Sequence, residues 1–389
     1  MTSLIRYHAD GFESEKYGAD GDYQLGVRAE YGKQHRLVAQ LSRMDELYNS
    51  HVVANSRAPS LWKYAQDDRD VWTKLNLDQY LEDNPITGLL IAKDDEILVE
   101  CYQYRRRPFH RFASFSMAKS VVGMLMGIAA DEGHVQLDEP AERYVPKLKG
   151  TEYGMTPLRA LLRMSSGVRF NEEYAAGESD IAKLGRATFA RNSEGAEAAI
   201  LPFNTREAPA GTRFSYSSAE TQVLGLVLRR AIGRPVADYL SEKIWKPIGA
   251  EAEATWLIDK AGQETTFGFL NARLRDFALL GRMMAHDGRL NGHQIVPQAW
   301  VHEMTSAASH PQFMRPGNIA GNPRGYGYQT WLLPGPRRQF AFSGVRGQGI
   351  VVDPEAKLVM AHTAVWPDYA DIAAQRRFEL WNRVTSNLI

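Results

Sequence analysis

Hydrophobic and polar positions are unevenly distributed along the chain. Residues 1 to about 85 are polar, dotted with aromatics and weakly periodic. That pattern predicts an N-terminal extension wrapping a main body, with short helices such as residues 34–48. The first clear strand signal is Gly88-Leu-Leu-Ile-Ala-Lys93, then the acidic pair Asp94-Asp95, then residues 96–102. Two β-rich runs about such a turn predict a hairpin. A long helix is expected from near Ser116, with Val121, Val122, Leu125, Met126 and Ile128 as apolar positions, ending before Gly133. Residues 157–164 read as a short helix with proline near its start, stopped by Gly167. Residues 168 to about 209 read as loop-rich. Further helices are expected over 218–232, with Gly233 as the stop, and over 236–245, 276–287 and 297–305. Strand patterns return at 328–333, 339–342, 349–352 and 358–363, and a helix over 372–384 closes the chain. Strands, then helices, then strands and a helix predict an α/β (α+β) fold, an antiparallel sheet flanked by helices. Its α/β lobe would come from 86–115 and 270–389, with a mainly helical lobe, 116–269, inserted. No internal repeat or low-complexity segment interrupts this order.

Composition narrows the function classes. With 389 residues the chain can bury about three quarters of its unfolded surface, leaving roughly 15,000 Å² exposed. Lysine plus arginine number 46 and so do aspartate plus glutamate, giving a net charge of zero. A nucleic-acid binder needs a basic surplus, so nucleic acid is not the expected partner. The triplet Arg105-Arg106-Arg107 is too short to change that and reads as a solvated edge or salt-bridge partners. The single cysteine, Cys101, permits no intrachain disulfide and no thiolate metal cluster, and it reads as a core-facing strand residue. The first 23 residues lack a hydrophobic leader core, and no stretch of 18 apolar residues occurs. A cytoplasmic, non-membrane protein is therefore expected.

The chain has no His-Glu-x-x-His, Gly-x-Ser-x-Gly, Walker loop or Gly-x-Gly-x-x-Gly. What remains is Ser116-Met-Ala-Lys119 at a helix start. This spacing puts serine and lysine on one helix face, and the helix N-terminus favours a developing negative charge. A buried lysine can hold or accept the hydroxyl proton. The second element is Tyr216-Ser217-Ser218 ahead of a helix. A tyrosine near an ammonium can act as a base, although Tyr216 packed under a helix capped by Ser218 is the plainer reading. The third is Phe342-Ser343-Gly344-Val345, where glycine lets the backbone approach a ligand closely. The N–H groups of Val345 and Ser116 would then form an oxyanion hole.

Taken in order and spacing, these elements resemble the serine β-lactamase and penicillin-binding-protein superfamily, especially its class C-like esterases and amidases. The likeness runs from about residue 86 to 389. Glu132-Gly-His-Val-Gln-Leu-Asp-Glu-Pro140, Leu161-Leu162 with Ser165-Ser166-Gly167, and the Asp-x-x-x-x-Gly-Arg-Met run at 276–283 support it. Asn171-Glu-Glu-Tyr174, Gly268-Phe269-x-Asn271 and Trp366-Pro-Asp368 look further like the 6-aminohexanoate-dimer hydrolases. In that group a tyrosine matching Tyr174 contacts the substrate amide and an asparagine matching Asn271 lies near the site. The resemblance implies a β-lactamase/transpeptidase-like fold. It also implies a serine hydrolase that forms an acyl-enzyme with small carboxylic esters or linear amides and needs no metal or other cofactor. Ser116 would attack, Lys119 and Tyr216 would share the proton, and which of the two is the base stays open. Ser218, Ser343, Gly344, Arg346 and Trp366 join Tyr174 and Asn271 as expected substrate-binding positions.

Two departures qualify the pattern. Ser218 stands where β-lactamases commonly have asparagine, and Phe342 stands where they have lysine or histidine. The missing cation argues against efficient penicillin hydrolysis, for which Arg346 is the only compensation in view. A weak β-lactamase or D-amino-acid peptidase is the runner-up, and a non-catalytic penicillin-recognising module is the alternative from another class. Glu178 and Asp180 are candidates for holding a substrate ammonium, or else plain surface charges. Enzymes of this kind commonly pair, so a homodimer is compatible with the sequence.

Overall fold

The computed structural model of the chain describes residues 5–190, 193–368 and 372–389. Its strands are β1 (Ile5–Tyr7), β2 (Ser50–Val53), β3 (Lys63–Tyr64), β4 (Ile86–Lys93), β5 (Glu96–Tyr102), β6 (Arg111–Ala113), β7 (Ala254–Leu257), β8 (Leu270–Arg273), β9 (Arg289–Leu290), β10 (His293–Gln294), β11 (Gly325–Tyr326), β12 (Trp331–Leu332), β13 (Phe340–Ser343), β14 (Gly349–Asp353) and β15 (Leu358–Ala364). Its helices are α1 (Leu37–Gln40), α2 (Met44–Leu47), α3 (Arg69–Lys74), α4 (Leu77–Asp83), α5 (Met117–Asp131), α6 (Leu158–Leu162), α7 (Asp180–Phe189), α8 (Ala196–Ile200), α9 (Ser218–Ile232), α10 (Val236–Leu240), α11 (Leu274–Ala285), α12 (Gln298–Thr305) and α13 (Ile372–Leu388).

The main sheet runs β1-β5-β4-β15-β14-β13-β12-β11, with β3 also on β5. Every pairing is antiparallel except those of β1 and β3, which lie parallel to β5. Alternation along β4 sends its side chains to two different cores. Leu89 and Ile91 pack with Trp72, Leu81 and Trp381 from α3, α4 and α13. Leu90 and Ala92 join the larger core with Phe277, Leu280 and Met284 of α11. The sheet is thus covered on both faces, and 15259 Å² of surface remains accessible.

A second, four-stranded sheet, β2-β7-β8-β6, takes strands from three distant parts of the chain. It delivers β6 directly to Ser116. Every residue of α5 from Met117 to Ala129 is buried, as befits a helix apolar all round. Helix α9, buried from Ser218 to Leu228, packs beside it. The two N-termini open toward the same cleft.

Several expectations need correction. Residues 168–209 hold α7 and α8. The Ser179 hydroxyl accepts the Ala182 N–H and caps α7, whose Ile181, Leu184 and Thr188 form a buried stripe. Residues 34–48 are a single turn of 3-10 helix followed by the separate turns α1 and α2. There the Ser42 hydroxyl bonds back to the Val38 carbonyl, an alternative to continuing the helix. The strand expected over 328–333 shortens to β12 because Gln329 takes a left-handed conformation with φ 55°. The first 85 residues supply β1 and β3 to the main sheet and β2 to the second. Their Tyr17, Leu37, Val38 and Met44 pack with Tyr104, Phe115 and Leu257. Cys101 is buried. Among the described residues no helix is long and apolar enough to cross a membrane.

Gly225 of α9 shows how closely the cleft floor is packed. A Cβ there would lie 2.1 Å from Thr266 Oγ1 and 2.7 Å from Thr266 Cβ. Alanine in place of a helical glycine ordinarily gains about 1 kcal/mol. The 2.1 Å approach puts overpacking at the upper end of its usual ~1–3 kcal/mol, so Gly225→Ala should lower the unfolding free energy by a net ~1–2 kcal/mol in urea titration. Unchanged or higher stability would show that the Thr266 segment yields freely.

Candidate active site

The strand-to-helix turn before Ser116 is tightly determined. Ser114 donates its N–H to the Leu270 carbonyl at 2.8 Å and accepts the Leu270 N–H on its hydroxyl at 3.0 Å. Phe115 then takes φ 43°, a costly left-handed conformation, with its buried ring 5.7 Å from that of Phe269. This turn places Ser116 at the N-cap of α5, half-buried in the cleft.

Lys119 lies one turn along and is 1% exposed. Its Nζ is 3.0 Å from Ser116 Oγ, 3.0 Å from Ser218 Oγ and 2.7 Å from the Phe267 carbonyl oxygen. Burial lowers its pKa to about 8, opposed only by the Glu172 charge. In the neutral form an amine has two N–H donors and one lone pair. The Phe267 carbonyl can only accept, and the Ser218 hydroxyl already donates to Glu172 Oε1. Both N–H groups are therefore committed, and the lone pair faces Ser116.

Tyr216 approaches from the other side, with the Lys119 Nζ 5.2 Å from its ring centroid. Its ring stacks on Trp331 at 5.6 Å. Burial and the Glu172 charge push its phenol up, against a hydrogen bond with Ser116 that lowers it. Tyr216 therefore stays protonated at neutral pH. Ser218 is the first residue of α9, not its cap, which is Ser217. Glu172 serves that helix end instead, accepting the Ser218 N–H at 2.8 Å and the Tyr174 hydroxyl at 2.6 Å.

The end of β13 closes the arrangement. A Cβ on Gly344 would lie 2.4 Å from the Ser114 carbonyl oxygen. The glycine thus allows a close approach of two backbones, where the sequence suggested an approach to ligand. That approach brings Val345 onto the cleft beside Ser116. Among the described residues neither the Ser116 nor the Val345 N–H meets a protein acceptor. Ser343 Oγ accepts from Arg377 at 2.6 Å. Arg346, at φ 60°, is buried and donates to the Trp366 carbonyl at 2.7 Å. Phe342 is wholly buried in the main core.

Four expected positions lie off the cleft. Asn271 is 2% exposed, and its amide donates to Thr255 and to the Phe269 carbonyl within the second sheet. It thus holds the turn that carries Phe267 and Phe269. Trp366 packs against the β4 face of the main sheet and offers the site only its backbone carbonyl, through Arg346. Glu178 pairs with Arg186, and Asp180 accepts the Asn171 N–H. Glu172 is the residue that sequence reasoning missed. Its place two residues before Tyr174 was visible, but its capping of α9 was not.

The cleft has two compartments that share Ser116, Tyr174 and Val345. One, of about 400 Å³, is walled by aromatic and aliphatic side chains. The other, of about 670 Å³, is polar and includes Tyr216, Glu172, Arg324 and Asp368.

Residues 76–378 match the family model described as Beta-lactamase. The 6-aminohexanoate-dimer hydrolase of Paenarthrobacter ureafaciens is 30% identical over 297 residues, covering 75% of this chain and 76% of the relative. A Bacillus anthracis structure assigned as a 6-aminohexanoate-dimer hydrolase superposes with a TM-score of 0.82 at 24% identity, over 92% of this chain and 96% of that one. A family VIII carboxylesterase superposes with a TM-score of 0.63 at 17% identity, over 83% and 99%. The two structural likenesses bear on the fold.

Because the Glu172 charge is what favours the protonated amine, Glu172→Gln should move the Lys119 pKa below about 8. The check is the ¹³Cε titration of lysine-labelled protein, with the resonance assigned through Lys119→Arg. An unmoved or raised midpoint would refute the electrostatic role given to Glu172.

Proposed function

The chain belongs to the beta-lactamase family and is a serine hydrolase of that fold, and we propose that it cleaves small carboxylic esters and short linear amides through an acyl-enzyme on Ser116. The observation that carries this is the buried Lys119 amine, 3.0 Å from Ser116 Oγ. Lys119 takes the Ser116 proton as the oxygen attacks the carbonyl carbon. The Ser116 and Val345 N–H groups hold the oxyanion, each worth roughly 3–4 kcal/mol in comparable sites. As the carbon–oxygen or carbon–nitrogen bond breaks, the protonated Tyr216 phenol gives its proton to the leaving group and recovers one from the Lys119 ammonium. Water then hydrolyses the acyl-enzyme by the reverse relay.

Lys119 is preferred to Tyr216 as the base because its pKa of about 8 leaves neutral amine available, whereas the phenol is pushed upward. Tyr174 and Glu172 position Ser218, and through it Lys119. The names of the relatives support esters and linear amides as the substrate class. Phe342 supplies no cation for a β-lactam carboxylate, which counts against the penicillinase reading. A reducing compartment such as the cytoplasm suits the one buried thiol.

Two measurements test this. Intact mass after fluorophosphonate treatment should show one adduct on the wild type and none on Ser116→Ala, whose ester turnover should fall at least ~10³-fold. An adduct that persists in Ser116→Ala would identify a different nucleophile, and none on the wild type would favour a non-catalytic module. For the wild type, kcat/KM should rise with pH through a midpoint near 8, because the free base is the reactive form. A flat profile from pH 6 to 9 would exclude Lys119 as the base.

A further inference from the structure

The two compartments differ in a way that assigns the two halves of the substrate. Tyr216 lines only the polar compartment. If it protonates the leaving group, that group departs there, and the acyl half must extend from the Ser116–Val345 junction into the apolar compartment. The walls of that compartment include Phe115, Phe267 and Phe269 from the two turns beside the cleft, and Phe189 from α7. Met44 and Tyr48 of the N-terminal segment close it. Its volume, about 400 Å³, suits a small ligand.

Gly185 supplies an independent sign that this space is kept open. It sits in the interior of α7, where glycine costs about 1 kcal/mol relative to alanine. Its φ is not positive, and a Cβ there would meet nothing within 4 Å. Neither backbone conformation nor packing requires glycine, and the vacant position faces the compartment.

The charges are equally one-sided. Arg28 and Arg186 line the compartment, and no aspartate or glutamate does so among the described residues. Glu178 offsets Arg186 from outside, through contacts of 3.3 Å. Arg28 has no carboxylate partner among the described residues and lies 4.7 Å over the Tyr48 ring. A chain end carrying an ammonium would meet two guanidinium groups there, and one carrying a carboxylate would be attracted.

We propose that the apolar compartment is the acyl subsite and selects a hydrocarbon acyl chain whose far end is neutral or a carboxylate, against one ending in an ammonium. This rests on the reading of Ser116 as the acylated nucleophile. A 6-aminohexanoyl group, with its terminal ammonium, is then a poor fit, and the N-terminal segment is a wall of the specificity pocket.

The test uses the full chain and nitrophenyl esters with one common leaving group. From acetate to hexanoate, kcat/KM should rise about 4-fold per methylene, the equivalent of about 0.8 kcal/mol buried. The ester of a six-carbon acyl chain ending in a carboxylate should exceed its ammonium counterpart at least 10-fold. Gly185→Leu should lower the hexanoate-to-acetate ratio at least 10-fold. The double variant Arg28→Gln/Arg186→Gln should bring the carboxylate-to-ammonium ratio toward one. Acetate turnover with a flat chain-length series, or a preference for the ammonium ester, would overturn the proposal and leave the hydrolase reading intact. The wild-type series decides this even if a variant fails to fold. No acetate turnover and no phosphonylation would overturn the Ser116 reading, and this proposal with it.

Discussion

Taking the Lys119 amine out of water is the constraint to which the rest of the cleft responds. A buried ammonium is costly, and the group answers by lowering its pKa to about 8. What makes the burial tolerable is that each polar partner comes from a different segment: Ser116 from the start of α5, Ser218 from the start of α9, and the Phe267 carbonyl from the turn before β8. None of these segments can shift alone. Gly225 lets α9 touch the Thr266 segment, and the Ser114–Leu270 pairing ties the α5 turn to β8. The second sheet exists, in effect, to bring a carbonyl and a serine to one amine.

The backbone around the amine carries the cost of this convergence. Phe115, Phe269 and Arg346 all adopt left-handed conformations, at φ 43°, 64° and 60°. None is glycine, and each conformation is of a kind that persists only where surrounding structure over-determines it. Two of the three rings or chains are locked by neighbours, Phe115 against Phe269 and Arg346 on the Trp366 carbonyl. The result is a rigid junction at Ser116 and Val345 from which the two compartments diverge. Such preorganised N–H groups need no rearrangement when charge develops.

Much of this was legible in the sequence wherever a local signal carried it. The Ser116–Lys119 spacing defines a helix face, and the β4–β5 hairpin and α9 with its Gly233 stop follow from periodicity and glycine. What was not legible depends on long-range contact. Glu172 entered only as part of a likeness, because the helix end it caps is 46 residues away. Asn271 was placed at the site by likeness, yet period two in β8 turns its side chain into the sheet. Helix α7 was overlooked although Ser179 and the stripe Ile181, Leu184 were in plain view. A polar neighbourhood outweighed a sound capping signal. The significance of Gly185 required knowing what its missing side chain would have touched.

The electrostatics of the cleft bear differently on the esters and the amides of the proposed substrate class. Only burial depresses Lys119, and no neighbouring cation assists. Phe342, where the resemblance leads one to expect a cation, is turned into the core. Glu172 pulls the other way, so at pH 7 the free amine is the minor form. Attack on an activated ester tolerates that fraction because its leaving group departs without help. An amide nitrogen must be protonated before it leaves, and here that proton comes through a Tyr216 phenol that burial and Glu172 hold firmly protonated. A donor that binds its proton so tightly transfers it with little driving force, so amide cleavage leans more heavily on the Tyr216 relay than ester cleavage does.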